Sequence, residues 1–276
     1  MGTAGRSQGQ LADDGVVEET GGRLGERLAY VAGCAVGGAW FLLCSFVGIL
    51  WLLAAPRNRQ TLYWYGKVFC RGLVAMMSWR VEPDHPERLR DRRPCVIVGN
   101  HQSFLDVVTF GSIFPPRTVS AGKREIGRIP IFGWFYRLSG NLVIDRSHAR
   151  SALASLELAA RQMGEEKIAV WFMPEGHRNQ SRELLPFKSG AFRLAIAAQA
   201  PIVPIVAEPL TAIADTRKKL ARTGTLRVRV LEAIPTEGLQ AADVPALAAR
   251  VRERMQHVVD ELRATSDPAA KRTEPV

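Results

Sequence analysis

From Leu28 to Pro56 the chain carries no charge at all. Such a run can enter hydrocarbon or lie buried in the core of a large domain. About 20 helical residues suffice to cross a bilayer, and AYVAGCAVGGAWFLLCSFVGILWLLAA is longer than that. A secretory signal fits poorly, because residues 1–27 are net negative and the run exceeds an h-region of about 7–15 residues. Membrane insertion is therefore the favoured reading, with a buried core helix as its rival. Residues 1–27 hold three Lys or Arg, and residues 56–80 hold five. If the run crosses the membrane, that bias puts everything after residue 56 in the cytoplasm.

Residues 61–79 suggest a second helix. Leu62, Tyr65, Phe69, Leu73 and Met76 recur at helical spacing, with Lys67, Arg71 and Ser78 on the opposite side. A stripe of this kind suits the membrane interface or the core of the following domain. The Gly-rich, acidic residues 1–27 read as a flexible tail, 28–79 as membrane-anchoring helices, 80–264 as the functional domain and 265–276 as a second tail.

After residue 80 the pattern is that of an α/β domain. Short apolar runs (Cys95–Gly99, Leu142–Ile144, Ile168–Phe172, Ile202–Val206) alternate with helical patterns at Ala149–Met163 and Ala191–Gln199. That alternation predicts a mostly parallel central sheet flanked by helices. Leu226–Ile234 alternates Arg with apolar residues and suggests an edge strand with one wet face. Val244–Arg263 is an amphipathic closing helix.

Lys and Arg exceed Asp and Glu by ten (37 against 27), which calls for an anionic partner: nucleic acid, an anionic membrane or a phosphorylated substrate. No nucleic-acid module is visible. The cysteines at 34, 44, 70 and 95 have no CxxC spacing, so they predict buried, reduced thiols rather than zinc or disulfides.

Chemistry concentrates at strand ends, where ligands bind in open α/β sheets. Asn100-His101-Gln102-Ser103-Phe104-Leu105-Asp106 follows the strand CVIVG. A carboxylate that fixes the tautomer of a histidine leaves the other ring nitrogen free to take a proton. Residues five apart on one helix point about 140° from each other, so His101 and Asp106 need a break between them. The corner from strand to helix provides one. Ser103-x-x-Asp106 resembles a capping box and suggests a helix starting at Ser103. Phe172-Met173-Pro174-Glu175-Gly176-His177-Arg178-Asn179 follows a second strand, and Arg178 could fork onto a phosphate. Gly140-Asn141-Leu142-Val143-Ile144-Asp145-Arg146, Pro201-Ile202-Val203-Pro204, and Lys123 with Arg124 complete the set. With a membrane anchor, these cations and one His–Asp pair point to a phosphorylated amphiphile.

In this order, NHQSFLD, GNLVIDR, FMPEGHRN and PIVPIV resemble the four blocks of the 1-acyl-sn-glycerol-3-phosphate acyltransferase family, over roughly residues 80–210. The resemblance implies that His101 is the general base and Asp106 its orienting carboxylate. It implies that Glu175, Gly176 and Arg178 bind the glycerol phosphate, together with Gly140, Arg146 and Lys123, and that Pro201 belongs to the acyl side. The third block usually reads FPEGTR; here Met173 follows Phe172 and His177 replaces the threonine.

The implied reaction is direct acyl transfer to the sn-2 hydroxyl of lysophosphatidate, a membrane lipid, giving phosphatidate. The donor is an acyl thioester on coenzyme A or acyl carrier protein, and no metal or further cofactor is called for. Alternative acceptors on the same fold are glycerol-3-phosphate, another lysophospholipid or a lyso-ornithine lipid. The implied location is the cytoplasmic membrane, with the catalytic domain on the cytoplasmic side and no nucleic acid as partner.

Overall fold

The computed structural model describes residues 24–55, 59–90, 93–144, 149–179, 181–210, 213–215 and 220–266. Helices α1 (Leu24–Ala54) and α2 (Arg59–Met76) precede β1 (Trp79–Asp84) and β2 (Cys95–Gly99). There follow α3 (Asp106–Ile113), β3 (Thr118–Lys123), α4 (Phe132–Leu138), β4 (Leu142–Ile144) and α5 (Ala149–Glu166). Next come β5 (Ala169–Phe172), α6 (Gly190–Ala197), β6 (Ile202–Ala207), β7 (Ala214–Asp215) and β8 (Leu220–Ala221). Strand β9 (Gly224–Val230) and α7 (Val244–Ser266) close the domain. The terminal stretches 1–23 and 267–276, which include most of both expected tails, lie outside the described residues.

Seven strands form one sheet in the order β1-β9-β6-β2-β5-β3-β4. The five from β6 to β4 are parallel; β9 runs antiparallel to β6, and β1 lies parallel to β9. The central strands are buried throughout because both faces are covered, which is why they appear in the sequence as unbroken apolar runs. Strand parity sorts the side chains. Val96 and Val98 of β2, with Val170 and Phe172 of β5, pack into a core shared with Met163 of α5, Phe192 of α6 and Val251 and Met255 of α7. Cys95, Ile97 and Trp171 face the other way, onto Phe110 of α3 and Phe114 just beyond it.

Two sequence expectations change here. The alternating segment at Leu226 is not an edge strand: β9 lies between β6 and β1. Its wet face is nonetheless real. Arg229 pairs with Asp84 of β1 at 3.0 Å and also with Glu261 of α7. Strand β1 escaped notice because Trp79-Arg80-Val81-Glu82-Pro83-Asp84 has few apolar residues and a proline, features tolerated at a sheet's edge.

The stripe on α2 is the second. Phe69, Leu73 and Cys70 are buried among Trp40, Phe41 and Cys44 of α1 and Val108 of α3. The basic side does not face lipid headgroups. Lys67 Nζ and Arg71 Nε donate to the carbonyl of Ser112, near the C-terminus of α3, at 2.8 and 3.2 Å. A helix C-terminus attracts cations, but burial, with Arg71 adding to it, pushes the Lys67 ammonium down to about 8. Helix α2 is gripped on two sides, so its stripe marks domain core. Trp64, Val68 and Met76 remain exposed.

Helix α1 carries the apolar run. Leu28–Ala54 has a mean hydropathy of 2.1 and is long enough to cross a membrane. One face of it is nevertheless covered along its length. Gly37 sits against Leu73, the Trp40 indole N–H donates to the Phe69 carbonyl at 3.2 Å, and Ser45 Oγ lies 3.3 Å from the Tyr65 hydroxyl. Phe41 stacks on Phe132 of α4 with ring centroids 4.7 Å apart. A Cβ on Gly48 would come within 2.6 Å of the Phe135 ring. Cys44, Ser45 and Leu52 are buried, while Val36, Leu43, Phe46, Val47 and Leu50 on the outer side are bare.

The middle of the run therefore rests on α4, an element of the α/β domain that carries Arg137 in its last turn and follows Arg128. A helix held in this way cannot project alone across about 30 Å of hydrocarbon without drawing α4 and its arginines in with it. The geometry is that of a helix lying along the domain with its outer side bare, an arrangement that suits an interfacial helix. The charge bias sets an orientation only for a run that crosses.

The packing predicts that reporters fused before residue 24 and after residue 266 lie on the same side of the membrane. Protease protection of sealed vesicles checks this. Reporters on opposite sides would mean that α1 leaves the domain and crosses.

Candidate active site

The C-terminal ends of β2, β5, β6 and β3 converge on the predicted motifs. Past Gly99 the chain leaves β2 and is fastened to the end of the neighbouring strand β6. Asn100 exchanges two hydrogen bonds with the Ala207 backbone, both 2.9 Å, and Gln102 Nε2 donates to the same carbonyl at 3.2 Å. The corner brings His101 and Asp106 together, with Nδ1 3.0 Å from Oδ2. That same oxygen accepts the backbone N–H groups of Gln102 at 2.6 Å and Ser103 at 2.8 Å. Asp106 is buried. An oxygen that already takes two backbone N–H groups is an acceptor toward the ring as well, so the ring proton is assigned to Nδ1 and Nε2 is left as the basic nitrogen.

The helix starts at Asp106 and not at Ser103. Ser103 Oγ accepts the Leu105 N–H at 3.2 Å, a short hydroxyl turn. The capping expectation is thus reversed: the acid secures the corner residues, and serine only shapes the turn. As the first helical residue, Asp106 also gains from the positive end of α3.

The His101 backbone is held from the end of the neighbouring strand β5. Its N–H donates to Glu175 Oε1 and its carbonyl accepts the Asn179 N–H, both at 2.8 Å. The first and third blocks are thereby joined through one residue. Glu175 is buried, and its other oxygen accepts the Leu185 N–H at 3.0 Å and the Asn179 amide at 3.4 Å. Burial pushes this carboxyl up, while the N–H groups of His101 and Leu185 pull it down. Glu175, expected to meet the head group, lies beneath the site as an anchor for His101. Gly176, at φ +73°, makes the turn that follows, and His177 and Arg178 are exposed beyond it.

The remaining predicted residues divide. Gly140, at φ +77°, turns the chain into β4. Beside it Asn141 Oδ1 accepts the N–H and hydroxyl of Ser120 on β3, at 2.8 and 3.0 Å. Lys123 closes β3. Pro201 directly precedes β6, and its carbonyl accepts the Val96 N–H at 2.9 Å, joining the foot of β6 to β2 at the opposite end of the sheet from His101. Arg146 lies outside the described residues.

Sequence reasoning missed Asn100, Gln102 and Asn179, whose amides weld the corner, and it assigned nothing to α7. Gln256 of α7 accepts the Leu184 N–H at 2.8 Å, and Arg252 Nε donates to the Leu184 carbonyl at 3.0 Å. The loop that supplies Leu185 to Glu175 is thus held from the C-terminal helix. An Asn beside His was the only local signal; the α7 contacts have none.

His101, Gly176, His177 and Arg178 form the polar end of a cavity of about 670 Å³. The rest is mostly apolar and runs between α2, α3, α4 and β3, with Tyr65, Phe69, Val108, Phe132 and Tyr136 among its walls and Thr118, Ser120 and Asn141 as polar exceptions. That volume is in the range of small-molecule sites. A base and an arginine at one end of an apolar chamber suit a molecule with a phosphate and a hydrocarbon chain. Among the described residues, no group of three or more His, Cys, Asp or Glu side chains could share a metal ion.

Comparison with known proteins supports this picture. Residues 80–208 match the family model described as Acyltransferase. The chain is 34% identical over 225 residues to 1-acyl-sn-glycerol-3-phosphate acyltransferase of Escherichia coli, covering 80% of this chain and 89% of that protein. It is 44% identical over 179 residues to the human 1-acyl-sn-glycerol-3-phosphate acyltransferase beta, covering 65% of this chain and, just under two thirds, 64% of that protein. The crystal structure of the 1-acyl-sn-glycerophosphate acyltransferase PlsC from Thermotoga maritima superposes with a TM-score of 0.69 at 18% identity, over 87% of this chain and 96% of that one. At that identity the likeness concerns the fold.

Glu175→Gln replaces one accepting oxygen with a donor facing a backbone N–H. The variant is expected to lose about 1–3 kcal/mol of stability, read as a lower denaturant midpoint. Its kcat should fall, because the His101 backbone is released.

Proposed function

The chain belongs to the 1-acyl-sn-glycerol-3-phosphate acyltransferase family, and on that premise we propose that it transfers a fatty acyl group from an acyl thioester to the sn-2 hydroxyl of lysophosphatidate, giving phosphatidate. One observation carries the reading. The histidine with its Nδ1 on a buried carboxylate lines the same apolar cavity as Arg178. Chain and phosphate can therefore be held at once, with the base between them.

The His101 side chain is 19% exposed and that of Asp106 is 2% exposed. Nε2 of His101 takes the proton of the sn-2 hydroxyl as that oxygen attacks the thioester carbonyl carbon. The C–O bond forms, the carbonyl π electrons move to oxygen, and a tetrahedral intermediate results. Its collapse re-forms the carbonyl and breaks the C–S bond. The thiolate leaves and takes the proton back from His101. Asp106 stays ionised throughout and stabilises the imidazolium. A positioned base is worth about 10²–10⁴-fold; holding both lipids in register adds to that.

Arg178 is exposed at the polar end, where its planar fork can bind two phosphate oxygens. His177 beside it alters the surroundings of that phosphate but not the His101–Asp106 pair. Lys123, Gly140 and Arg146 are proposed for the same head group. The donor is proposed to be acyl-CoA or acyl carrier protein, with no metal or further cofactor. Both carriers belong to the cytoplasm, and the domain is proposed to face that side of the membrane.

In detergent micelles with labelled acyl-CoA and lysophosphatidate, the wild-type chain should yield phosphatidate, and His101→Ala should lower kcat by about 10²–10⁴-fold. Equal rates would remove His101 as the base; no product from wild type with either carrier would overturn the reaction. Arg178→Ala should raise KM for lysophosphatidate by about 10–100-fold, the worth of one charge-assisted contact, while KM for the donor stays unchanged.

A further inference from the structure

Between β3 and the first turn of α4 the chain builds a short projection, residues 129–134, whose outer residues Pro130, Ile131 and Trp134 are not part of the cavity lining. Its tip is Ile129-Pro130-Ile131, all exposed, and Trp134 one turn later is 68% exposed. Solvated turns favour Gly, Asn, Asp and Ser; this one places isoleucines in the open.

The backbone makes the choice more pointed. The Phe132 N–H donates to the Pro130 carbonyl at 2.6 Å, closing a three-residue turn around Ile131 at φ +63°, ψ −60°. That is the rarer, strained hand of γ-turn, and a β-branched residue tolerates it poorly. The base of the projection is tight: a Cβ on Gly133 would come within 2.4 Å of the Gly127 carbonyl oxygen. The fold thus spends strain to hold an apolar tip outward, and contiguous apolar surface of this kind marks an interaction site.

Three observations say what covers it. The projection stands beside α1, whose outer side is bare: Phe132 and Phe135 behind it pack on Phe41 and Gly48 of that helix. Arg128 and Arg137 stand exposed at its sides, where arginines can lay their stems on apolar surface and keep their heads at phosphates. A tryptophan beside such cations suits the membrane–water interface. The same segment also walls the cavity, which Ile129 and Phe132 line from within.

We propose that residues 129–134 insert into an anionic lipid leaflet beside α1, so that the α/β domain adds a membrane contact of its own to that of the N-terminal helices. The inference rests on the lysolipid acyltransferase reading, and the experiment separates the two.

Ile131 and Trp134 do not line the cavity. The double variant Ile131→Asn, Trp134→Gln removes the apolar tip, and Asn accepts positive φ more readily than Ile. The full chain is assayed on long-chain lysophosphatidate in mixed phosphatidylcholine and phosphatidylglycerol vesicles, and on a short-chain lysophosphatidate dissolved as monomers. The expected result is a rise of about 10–100-fold in KM for the vesicle-borne acceptor, the worth of one or two apolar side chains. The short-chain rate should stay within about twofold of wild type. Equal KM values in vesicles overturn the proposal. A wild-type chain inactive on both acceptors overturns the reaction instead.

If the double variant loses both activities, a label decides. In a Cys34→Ser background the other cysteines are buried, so Trp134→Cys can carry an environment-sensitive fluorophore. A blue shift on adding the vesicles supports insertion; unchanged emission overturns it.

Discussion

A single carboxylate oxygen governs the site. Asp106 Oδ2 accepts three N–H groups: one from the imidazole of His101 and two from the backbone of Gln102 and Ser103. Buried carboxylates are stable only when their lone pairs are used, and here using them bends the chain from β2 into α3. The fold of the corner and the tautomer of the base are consequences of the same three bonds. From that oxygen the support spreads outward. His101 is held by Glu175 and Asn179, Glu175 by Leu185, and the Leu184–Leu185 segment by Arg252 and Gln256 of α7. Residues from position 101 to 256 are thus coupled into one support for one imidazole.

The apolar half of the molecule is built by a different rule. Helices α1, α2 and α4 meet through aromatic contacts, with Tyr65 4.2 Å from Phe135 and 5.6 Å from Phe69 between ring centroids. These rings do two jobs. They bind the N-terminal helices to the sheet domain, and they wall the chamber beside His101. Docking of the apolar N-terminal helices and the walls of the cavity therefore share the same rings.

How far the sequence could be read depended on where its signals came from. Buried strands announced themselves at Cys95–Gly99 and Ala169–Phe172, because strands covered on both faces leave no room for polar residues. His101 and Asp106 were legible as a pair, since the break they require falls at a strand-to-helix corner. Glu175 was legible as important but not in its orientation. The letters P-E-G do not say whether the acid faces the ligand or the backbone behind it, and that depends on Leu185 and His101 arriving from elsewhere. The stripe of α2 was visible; that it faces α1 and α3 instead of lipid was not, because periodicity records an apolar face without naming what covers it.

The sequence alone determined the order of the elements, the strand-end placement of the motifs, the excess of positive charge and an N-terminal helix apolar enough for hydrocarbon. Each of these is local, set by periods, turns and composition within a few residues. Tertiary structure decided that β9 lies inside the sheet, that α1 rests on α4, that Glu175 is an anchor and that α7 reaches the active-site loop. Those outcomes depend on surfaces that meet across 72 to 145 residues of chain, and such meetings are settled by the shape and hydrogen-bonding needs of both partners at once.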